Sequence, residues 1–530
     1  MPNKNILLIE PGYRNKYPPL GLMKIAQYHG PNGKKDNVRF IKGEDKSVLG
    51  AAWDRIYVTS LFSFEWDRIA RSIDFALEVA GGHSNKVFVG GIAASLMHDR
   101  FEAEPKWRGI RFIKGLLDSS PAESLQLDGF EGELYSSDTQ GEPIENLTPD
   151  YSILDQVEYE YPVHDAYFVY ASRGCVRKCK FCGVPTLEGD LKDTYSVSKI
   201  VKSIEEQYGP KKDLVFMDNN VVASPNFRNI IDEIVDLGFG KDAPRLKRGR
   251  SSVQRRVDFN QGVDARILSK DPMYLEQLSR ICLSPLRIAF DHLGLKKPYE
   301  ASIRMAANVG LTNLSNYMLY NFHDDPSDLY ERMKMNVVLN EELDIRIFSF
   351  PMRYQPTDLP HRGHVGEKWN SYYLRSMQII LQATHGIVSG APDFFRKAFG
   401  DTKEEFNTLL LRPHHYIFNR FWYEQFDGRG EFDQYLTDMK RLSQSDQEDL
   451  IEFLSTTDSK RYIEDAGALK SNNVRAVIPY YVPLAKEDER KIWDAQKAKR
   501  TALKDQYHLP EDEVVEDAGL NDDGLEEDAA

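Results

Sequence analysis

The segment Ser172–Pro185 reads SRGCVRKCKFCGVP and places Cys175, Cys179 and Cys182 in a C-x3-C-x2-C array. These are three of the four cysteines in a chain of 530 residues. A disulfide framework would spread its cysteines through a small secreted chain, so this crowding indicates metal ligands in a reducing compartment. Three thiolates at this spacing can bind three irons of a cubane cluster. The fourth iron then stays open to a ligand that is not protein.

A zinc site is the alternative for the same cysteines. Zinc sites usually present paired C-x2-C ligands or a mixed Cys and His set. The remaining cysteine, Cys282, stands 100 residues beyond Cys182 in the run ICLSPLRIAF. That apolar context predicts a buried thiol rather than a fourth ligand. The spacing therefore favours the iron–sulfur cluster.

Around the cysteines the sequence alternates apolar runs with helical patterns. A strand is predicted at Asp165–Ser172, directly before the first cysteine, and helices at Val197–Tyr208 and Phe227–Leu237. Further strands are predicted at Leu214–Met217, Val257–Asp264, Leu286–Phe290, Tyr317–Phe322 and Ile345–Phe350. Six such units predict a partial (β/α)6 barrel, whose chemistry collects at the C-terminal ends of the strands.

The first 117 residues show a second alternating pattern. Strands are predicted at Ile6–Ile9, Val38–Ile41, Arg55–Ser60, Lys86–Val89 and Ile110–Ile113. Alternation of this kind predicts a doubly wound, Rossmann-like α/β domain with a parallel sheet. Such sheets bind ligands at the carboxyl ends of their strands. The residues expected there are Pro11, Gly12, Ser60, Gly90 and Gly91.

The pattern predicts five segments in all: a Rossmann-like domain (1–117), a linker (118–159), the barrel (160–365), a mainly helical C-terminal region (366–505) and an acidic disordered tail (506–530). The clearest C-terminal helices are expected at Trp369–Ala383, Asp393–Ala398, Lys403–Leu410 and Glu431–Leu454. The last 20 residues hold ten acids and no base. That composition is typical of a solvated tail.

Charge and hydropathy exclude several classes of protein. The net charge of -14 argues against a general nucleic-acid binder. The basic segment Arg245–Arg256 is interpreted as a mobile solvated loop. No stretch approaches the roughly 20 apolar residues of a membrane helix, and the apolar run Ile6–Ile9 is too short for a signal peptide. We expect a cytoplasmic protein without membrane partners.

The cysteine segment, with an aromatic residue before its last cysteine, resembles the signature of the radical S-adenosylmethionine (SAM) superfamily. The resemblance covers residues 160–355 and implies a 4Fe–4S cluster whose open iron chelates the amino and carboxylate groups of SAM. One electron then cleaves SAM to methionine and a 5'-deoxyadenosyl radical. An electron donor such as flavodoxin or ferredoxin is implied.

The same resemblance suggests residues that contact SAM. They are Phe181, Asp218, Asn219, Asn220 and Asp291; the family's GGE motif is absent at the second strand. Further polar groups expected at the barrel mouth are Asn260–Gly262, Asp264, Arg266, His292, Tyr320–His323 and Pro351–Tyr354. For each of these a satisfied structural role competes with a catalytic one. No catalytic residue is assigned.

The N-terminal sequence NILLIEPGYRNKYPPLGLMKIA, Asn5–Ala26, is similar to the opening of cobalamin-dependent radical SAM enzymes. The resemblance implies cobalamin at the carboxyl edge of the N-terminal sheet, with Pro11, Gly12, Ser60, Gly90 and Gly91 as contacts. The D-x-H-x-x-G motif is absent, so no residue is named as a cobalt ligand. A Rossmann-like domain that binds another ligand is the alternative.

Three hypotheses stay open on the sequence. The first is a radical SAM enzyme with cobalamin, transferring a methyl group or performing another radical conversion on an unknown substrate. The second is a cobalamin-free radical SAM enzyme that abstracts hydrogen, rearranges its substrate or transfers a methylthio group. The third is a non-catalytic iron–sulfur or zinc module whose flanking domains bind a partner.

Overall fold

The computed structural model describes residues 3–118, 143–193, 196–384, 386, 388 and 390–507. Its contacts divide the chain into two compact units. The first unit comprises Met1–Ala289, Lys297–Leu314 and Gln355–His364, and the second comprises the remaining segments. Residues 119–142 of the predicted linker and residues 508–530 of the predicted acidic tail lie outside the described residues.

The N-terminal part of the first unit is a five-stranded parallel sheet in the order β2-β1-β3-β4-β5. The strands are β1 (Asn5–Glu10), β2 (Asn37–Lys42), β3 (Arg55–Ser60), β4 (Val87–Gly91) and β5 (Arg111–Phe112). The helices are α1 (Leu20–His29), α2 (Trp66–Val79), α3 (Ile92–Leu96) and α4 (His98–Ala103). Strand β1 lies between β2 and β3, and its apolar residues Ile6–Ile9 are fully buried, as a sheet covered on both faces requires. The predicted doubly wound domain is confirmed.

The rest of the first unit begins the barrel-like part of the chain. Its strands are β6 (Ala166–Val169), β7 (Ser172–Arg173), β8 (Lys192–Asp193), β9 (Asp213–Phe216), β10 (Leu246–Arg248), β11 (Ser251–Val253), β12 (Arg256–Phe259) and β13 (Leu286–Arg287). Its helices are α5 (Val184–Leu187), α6 (Val197–Tyr208), α7 (Phe227–Ile234), α8 (Ala265–Leu268), α9 (Met273–Leu278) and α10 (Lys296–Asn308). Strands β6, β9 and β12 pair in parallel, and parallel bridges join Val257 to Leu283 and Val263 to Ile288. Four of the six predicted barrel strands therefore lie side by side here.

Three of the predicted strands are shorter than expected. The segment Asp165–Ser172 divides into β6 and β7, and the strand predicted at Val257–Asp264 ends at Phe259. There the chain turns, with the Gly262 N–H donating to the Phe259 carbonyl at 2.8 Å, and Asp264 then caps α8. The prediction for Leu286–Phe290 keeps only its first two residues as strand β13.

The basic segment Arg245–Arg256 is a β-hairpin rather than the predicted irregular loop. Strands β10 and β11 pair antiparallel around a tight turn. Two of its arginines are paired within the chain: Arg248 with Asp165 at 2.6 Å and Arg256 with Asp213 at 2.8 Å. The positive charge of this segment is thus partly neutralised by the two aspartates.

The second unit contains most of strand β14 (Asn313–Tyr320) and all of strand β15 (Arg346–Arg353). Helix α11 (Pro326–Leu343) connects these two strands along the chain. The fully buried Arg332 of α11 connects three other segments of this unit. It donates to the carbonyls of Phe290 and Leu319 at 3.0 and 2.8 Å and pairs with Asp324 at 2.9 Å. A buried arginine of this kind is stable because its donors are satisfied and its charge is paired.

The C-terminal region is helical, as predicted. Its helices are α12 (Ser371–Ala383), α13 (Pro392–Phe399), α14 (Lys403–Leu410), α15 (His414–Phe418), α16 (Arg420–Gln425), α17 (Arg429–Met439), α18 (Gln444–Thr456), α19 (Tyr462–Asp465), α20 (Asn472–Val477) and α21 (Lys486–Tyr507). The single helix predicted over Glu431–Leu454 is two helices, because Ser443 forms a capping box with Asp446 and starts α18 afresh.

Two predicted segments, the linker and the acidic tail, are only partly described by the structure. The described part of the linker, 143–159, contains short helical turns, and its residues Ile144, Tyr151 and Ile153 are buried. The tail predicted from residue 506 begins inside α21, and residues 508–530 lie outside the described part.

In the described part of the chain, no helix is both long and apolar enough to cross a membrane.

Candidate functional site

The three clustered cysteines lie on the loop that joins β7 to α5, just beyond the C-terminal end of β6. All three are half-buried. The sulfur of Cys175 accepts the N–H of Arg177 at 3.3 Å, and that of Cys182 accepts the N–H of Val184 at 3.5 Å. Backbone donors aimed at sulfur stabilise the negatively charged thiolate, which is the form that binds metal.

Asp218 lies beneath this loop and is completely buried. Its carboxylate accepts the N–H groups of Ala171 and Ser172 at 3.0 and 2.5 Å, and the Ser172 hydroxyl at 2.7 Å. Burial raises the pKa of Asp218 to about 6, although these hydrogen bonds act against the rise. Both oxygens are occupied by the segment before the cysteines, so Asp218 positions that segment.

Glu188 is a residue that the sequence reasoning missed. Its carboxylate accepts the Gly174 N–H at 2.7 Å and the Asn219 amide at 2.9 Å, and it pairs with Arg173 at 3.3 Å. Arg173 also lies 3.6 Å from Glu145 and stacks over the Tyr170 ring. Glu188 thereby fixes the backbone at the residue before Cys175. A lone glutamate in a loop carries no sequence signal for such a role.

Asp264 connects the cysteine loop to the end of the third strand. One of its oxygens lies 2.6 Å from Nε of Arg177, and the other lies 2.8 Å from Nε of Arg266. Burial favours a raised pKa for Asp264, but the hydrogen bonds from Arg266 and Arg177 outweigh it and hold the pKa below its ordinary value. The same ion pair with Asp264 raises the pKa of Arg266 above its ordinary value.

These contacts decide how well the loop fits an iron–sulfur cluster. In the part of the chain that is described, no group of three or more His, Cys, Asp or Glu side chains is arranged to hold a metal ion. The two backbone N–H groups that donate to the Cys175 and Cys182 sulfurs are of the kind that stabilises thiolate ligands of a cluster. The chemistry of these donors therefore fits a thiolate-bound cluster.

Cys282 lies away from that loop. It follows the bridge at Ile281 and donates its N–H to Phe239 at 3.0 Å, and its carbonyl accepts from Val257 near the start of β12. The cysteine loop, in contrast, follows the C-terminal end of β6. The thiol is half-buried rather than fully buried as predicted, and burial raises its pKa to about 11. The structure does not bring Cys282 to the other three cysteines.

The residues predicted at the carboxyl edge of the N-terminal sheet do lie there. Pro11 and Gly12 follow β1, Ser60 ends β3, and Gly90 and Gly91 end β4. The Ser60 hydroxyl donates to the Gly90 carbonyl at 2.8 Å and accepts the Ala94 N–H at 2.9 Å, so it binds the first turn of α3 to the sheet. These contacts give Ser60 a structural role at this edge.

This edge faces the cysteine loop within the same unit. Helix α3 packs against α5, and a Cβ atom on Gly183, next to Cys182, would lie 2.9 Å from Leu96. A second link joins the Tyr17 hydroxyl to the Asn260 amide oxygen at 2.5 Å. Ile92 and Val176, on the two sides, are exposed apolar side chains. The two predicted cofactor regions are thus neighbours.

The other residues that were predicted to contact SAM or to line the barrel mouth lie in different parts of the structure. Asn220 is buried, and its side-chain oxygen accepts the backbone N–H of Asp264 at 3.4 Å, so it holds the backbone at that residue. Phe181 is half-buried on the cysteine loop. Asp291 belongs to the second unit, where its charge acts on Arg332. Asn321, also in that unit, bonds the Tyr354 carbonyl at 3.2 Å and accepts the Gly366 N–H at 2.8 Å.

The aromatic residues of the C-terminal segment pack against one another and against two buried histidines. The His414 ring stacks on Tyr372 with centroids 4.3 Å apart, and Tyr416, Tyr423 and Tyr435 form a buried cluster beside it. Burial lowers the pKa of His414 to about 3 and that of His415 to about 4. Both imidazoles are therefore neutral at pH 7.

We expect this burial to make the protein sensitive to acid. Below pH 6.5 the unfolded chain binds a proton at His414 that the folded chain does not bind until about pH 3, so stability falls as the pH drops through this window. His414→Phe keeps a ring on Tyr372 and should reduce the stability lost between pH 7 and pH 4 by on the order of 1–3 kcal/mol. Urea unfolding at the two pH values measures this. Replacement of the exposed His361 by Gln is the matched control. If wild type and His414→Phe lose the same unfolding free energy between pH 7 and pH 4, buried His414 is not a source of the acid sensitivity.

Comparison with known proteins returns methyltransferases. No protein-family model matches the chain. The chain is 25% identical over 220 residues to an uncharacterized methyltransferase of Synechocystis sp., a match that covers 40% of this chain and 38% of that protein. It is 22% identical over 282 residues to bacteriochlorophyllide d C-12(1)-methyltransferase of Chlorobaculum tepidum, covering 50% and 56%. The chain thus spans between 38% and 56% of the length of these relatives.

Two solved structures show partial similarity to this chain, with TM-scores below 0.5 and low sequence identity. One is TsrM from Kitasatospora setae, a radical SAM methyltransferase with cobalamin and a 4Fe–4S cluster bound, at TM-score 0.45 and 15% identity, covering 67% of this chain and 77% of that chain. The other is OxsB, a cobalamin-dependent SAM radical enzyme, at TM-score 0.46 and 11% identity, covering 97% and 82%.

Proposed function

We propose that this protein is a radical SAM enzyme with a 4Fe–4S cluster on Cys175, Cys179 and Cys182, and that it performs cobalamin-assisted methyl transfer. The observation that carries the proposal is the position of the cysteine loop. It stands at the C-terminal end of β6 with donors on its sulfurs, and its residue Gly183 lies against α3 at the carboxyl edge of the N-terminal sheet. Two sites that the reaction would need are thereby adjacent.

When bound, such a cluster supplies one electron to SAM, and cobalamin supplies a carrier for the methyl group. The chain itself holds and orients these groups. Glu188 and Asp218 fix the backbone on which the first cysteine sits. Ser60 fixes the start of α3, so the edge that would meet the corrinoid is rigid. A preformed site is favoured because its ordering cost is met during folding.

The SAM half of the proposal is tested on the reconstituted cluster. Three thiolates leave one iron open, so SAM should change the electron paramagnetic resonance spectrum of the reduced protein. Reduction with dithionite or flavodoxin should then yield 5'-deoxyadenosine and methionine slowly, without any substrate. A cluster whose spectrum ignores SAM, and which releases neither product, would leave only an electron-transfer or structural role.

The cobalamin half needs a separate measurement. The full-length protein, purified and incubated with hydroxocobalamin, should retain about one cobalt per chain after gel filtration and show the corrinoid absorption bands. The names of the two relatives support methyl transfer as the reaction, and the chain spans only part of each. Protein that cleaves SAM but retains no cobalt would favour the cobalamin-free radical SAM enzyme. We further propose a flavodoxin- or ferredoxin-type electron donor and a cytoplasmic location.

A further inference from the structure

A cavity of about 280 Å³ lies in the first unit, at the end of the barrel strands opposite to the cysteine loop. Its wall combines the end of the basic hairpin and the start of β12 (residues 254–256), the segment before β13 (residues 281–284) and the turn after α10 (residues 309–311). The cysteine loop instead follows the C-terminal end of β6, which runs parallel to β12 through β9. The cavity is therefore separate from the candidate site.

The charged side chains of this wall are all positive. They are Lys241, Arg255 and Arg256, and no acidic side chain of the described residues lines the cavity. The Arg256 charge is balanced by Asp213, whose carboxylate accepts from its Nη2 and Nε atoms at 2.8 and 3.3 Å. Neither Lys241 nor Arg255 forms an ion pair within the described chain, and Asp242, the neighbour of Lys241, is exposed and lies outside the wall. The wall thus carries at least two positive charges that no carboxylate in it offsets.

Arg255 is held in place without being fully satisfied. Its Nη1 donates to the carbonyls of Leu237 and Gly238 at 3.3 and 3.4 Å, and its guanidinium lies over the Phe239 ring, 4.4 Å from the ring centroid. Its Nε is buried and has no hydrogen-bond partner among the described residues. Buried donors are normally paired, and neutral carbonyls do not cancel the charge of a guanidinium. An anion supplies both an acceptor and the opposite charge.

The rest of the wall indicates the size and chemistry of the ligand. The Cys282 thiol lines the cavity, and burial raises its pKa to about 11, so it stays protonated and adds no negative charge at pH 7. Val309 and Leu311 give one side of the wall an apolar surface. A phosphate monoester carries a charge of about -1.5 to -2 at pH 7, which matches Lys241 and Arg255 together, whereas a single carboxylate balances only one of them. We propose that this cavity binds a small phosphate monoester, with the phosphate at Lys241 and Arg255 and the organic part along the apolar side.

Binding of phenyl phosphate to the full-length protein tests the proposal. Isothermal titration calorimetry at pH 7 should show a single saturable site, and benzoate, a monoanion of similar shape, should bind more weakly. Arg255→Met should weaken the binding of phenyl phosphate at least about tenfold, because a hydrogen bond between charged groups is lost. The matched control is Arg250→Met, which removes the same charge from the exposed turn of the hairpin and should leave the affinity unchanged.

Alkylation of Cys282 locates the bound phosphate, because this thiol lies in the wall of the cavity. The reaction with iodoacetamide at pH 9 is followed by mass spectrometry of the peptide that contains Cys282. Phenyl phosphate should slow the reaction several-fold in wild type and in Arg250→Met, but not in Arg255→Met. Neither measurement involves the cluster, so the result does not depend on the proposed function.

Three results would each overturn the proposal: no saturable binding by wild type, equal affinity in Arg255→Met and Arg250→Met, or binding that leaves the alkylation of Cys282 unchanged. If Arg255→Met does not fold, Lys241→Met takes its place, since it shortens an exposed side chain of the same wall. The same tenfold weakening is then expected, and wild-type affinity in Lys241→Met would refute the site.

Discussion

Replacing Cys179 by Ala is expected to remove the cluster completely. Two thiolates cannot hold a cubane cluster. Anaerobically reconstituted wild type should contain about four irons and four sulfides per chain, whereas Cys179→Ala should contain close to none and form no 5'-deoxyadenosine. Iron and sulfide analysis, with the absorption near 400 nm that is typical of such clusters, measures the loss.

Cys282→Ala is the control for that experiment. Cys282 lies by the start of β12, away from the C-terminal end of β6 that the cysteine loop follows. The variant should keep its iron and lose only some packing, on the order of 1 kcal/mol of unfolding free energy. Full iron content in Cys179→Ala, or loss of iron in Cys282→Ala, would show that the ligand assignment is wrong.

The cysteine motif and the N-terminal sheet could be predicted because their signals are local. Strands such as Ile6–Ile9 are short apolar runs bounded by turn residues, and the observed β1 extends this run by one residue at each end. The break between α17 and α18 also had a local signal, since Ser443 and Asp446 form the capping-box spacing. It was missed because the flanking helical periodicity is continuous.

The contacts that support the candidate site could not be predicted in this way. Arg177 and Asp264 are 87 positions apart, and Ala171 and Asp218 are 47 apart. Such pairs are set by which strand ends meet in the folded sheet, and a single sequence does not carry that information. The hairpin at Arg245–Arg256 was hidden for a different reason: its two strands have only three residues each and are mostly polar, so they lack the apolar alternation by which strands are recognised.

Gly174 and Gly189 offer a pair of substitutions that separates backbone strain from crowding at the cluster. Both have a positive φ, 76° and 75°, which disfavours any residue with a Cβ atom. They differ in surroundings. A Cβ on Gly174 would lie 2.2 Å from the Asp190 carbonyl oxygen and 2.9 Å from that of Gly189, whereas a Cβ on Gly189 would meet nothing within 4 Å.

Gly189→Ala is therefore expected to cost about 1–2 kcal/mol of unfolding free energy through strain alone and to keep its cluster. Gly174→Ala adds a collision with backbone atoms that cannot rotate away, for which about 1–3 kcal/mol more is expected. Relief of that collision must move the chain at the residue before Cys175, and it would break the bond from the Gly174 N–H to Glu188. We expect Gly174→Ala to lose most of its iron after reconstitution, while Gly189→Ala retains it. Urea unfolding and iron analysis of both variants measure the two effects. Equal iron content in the two variants would mean that the position of the first cysteine does not depend on the support from Glu188.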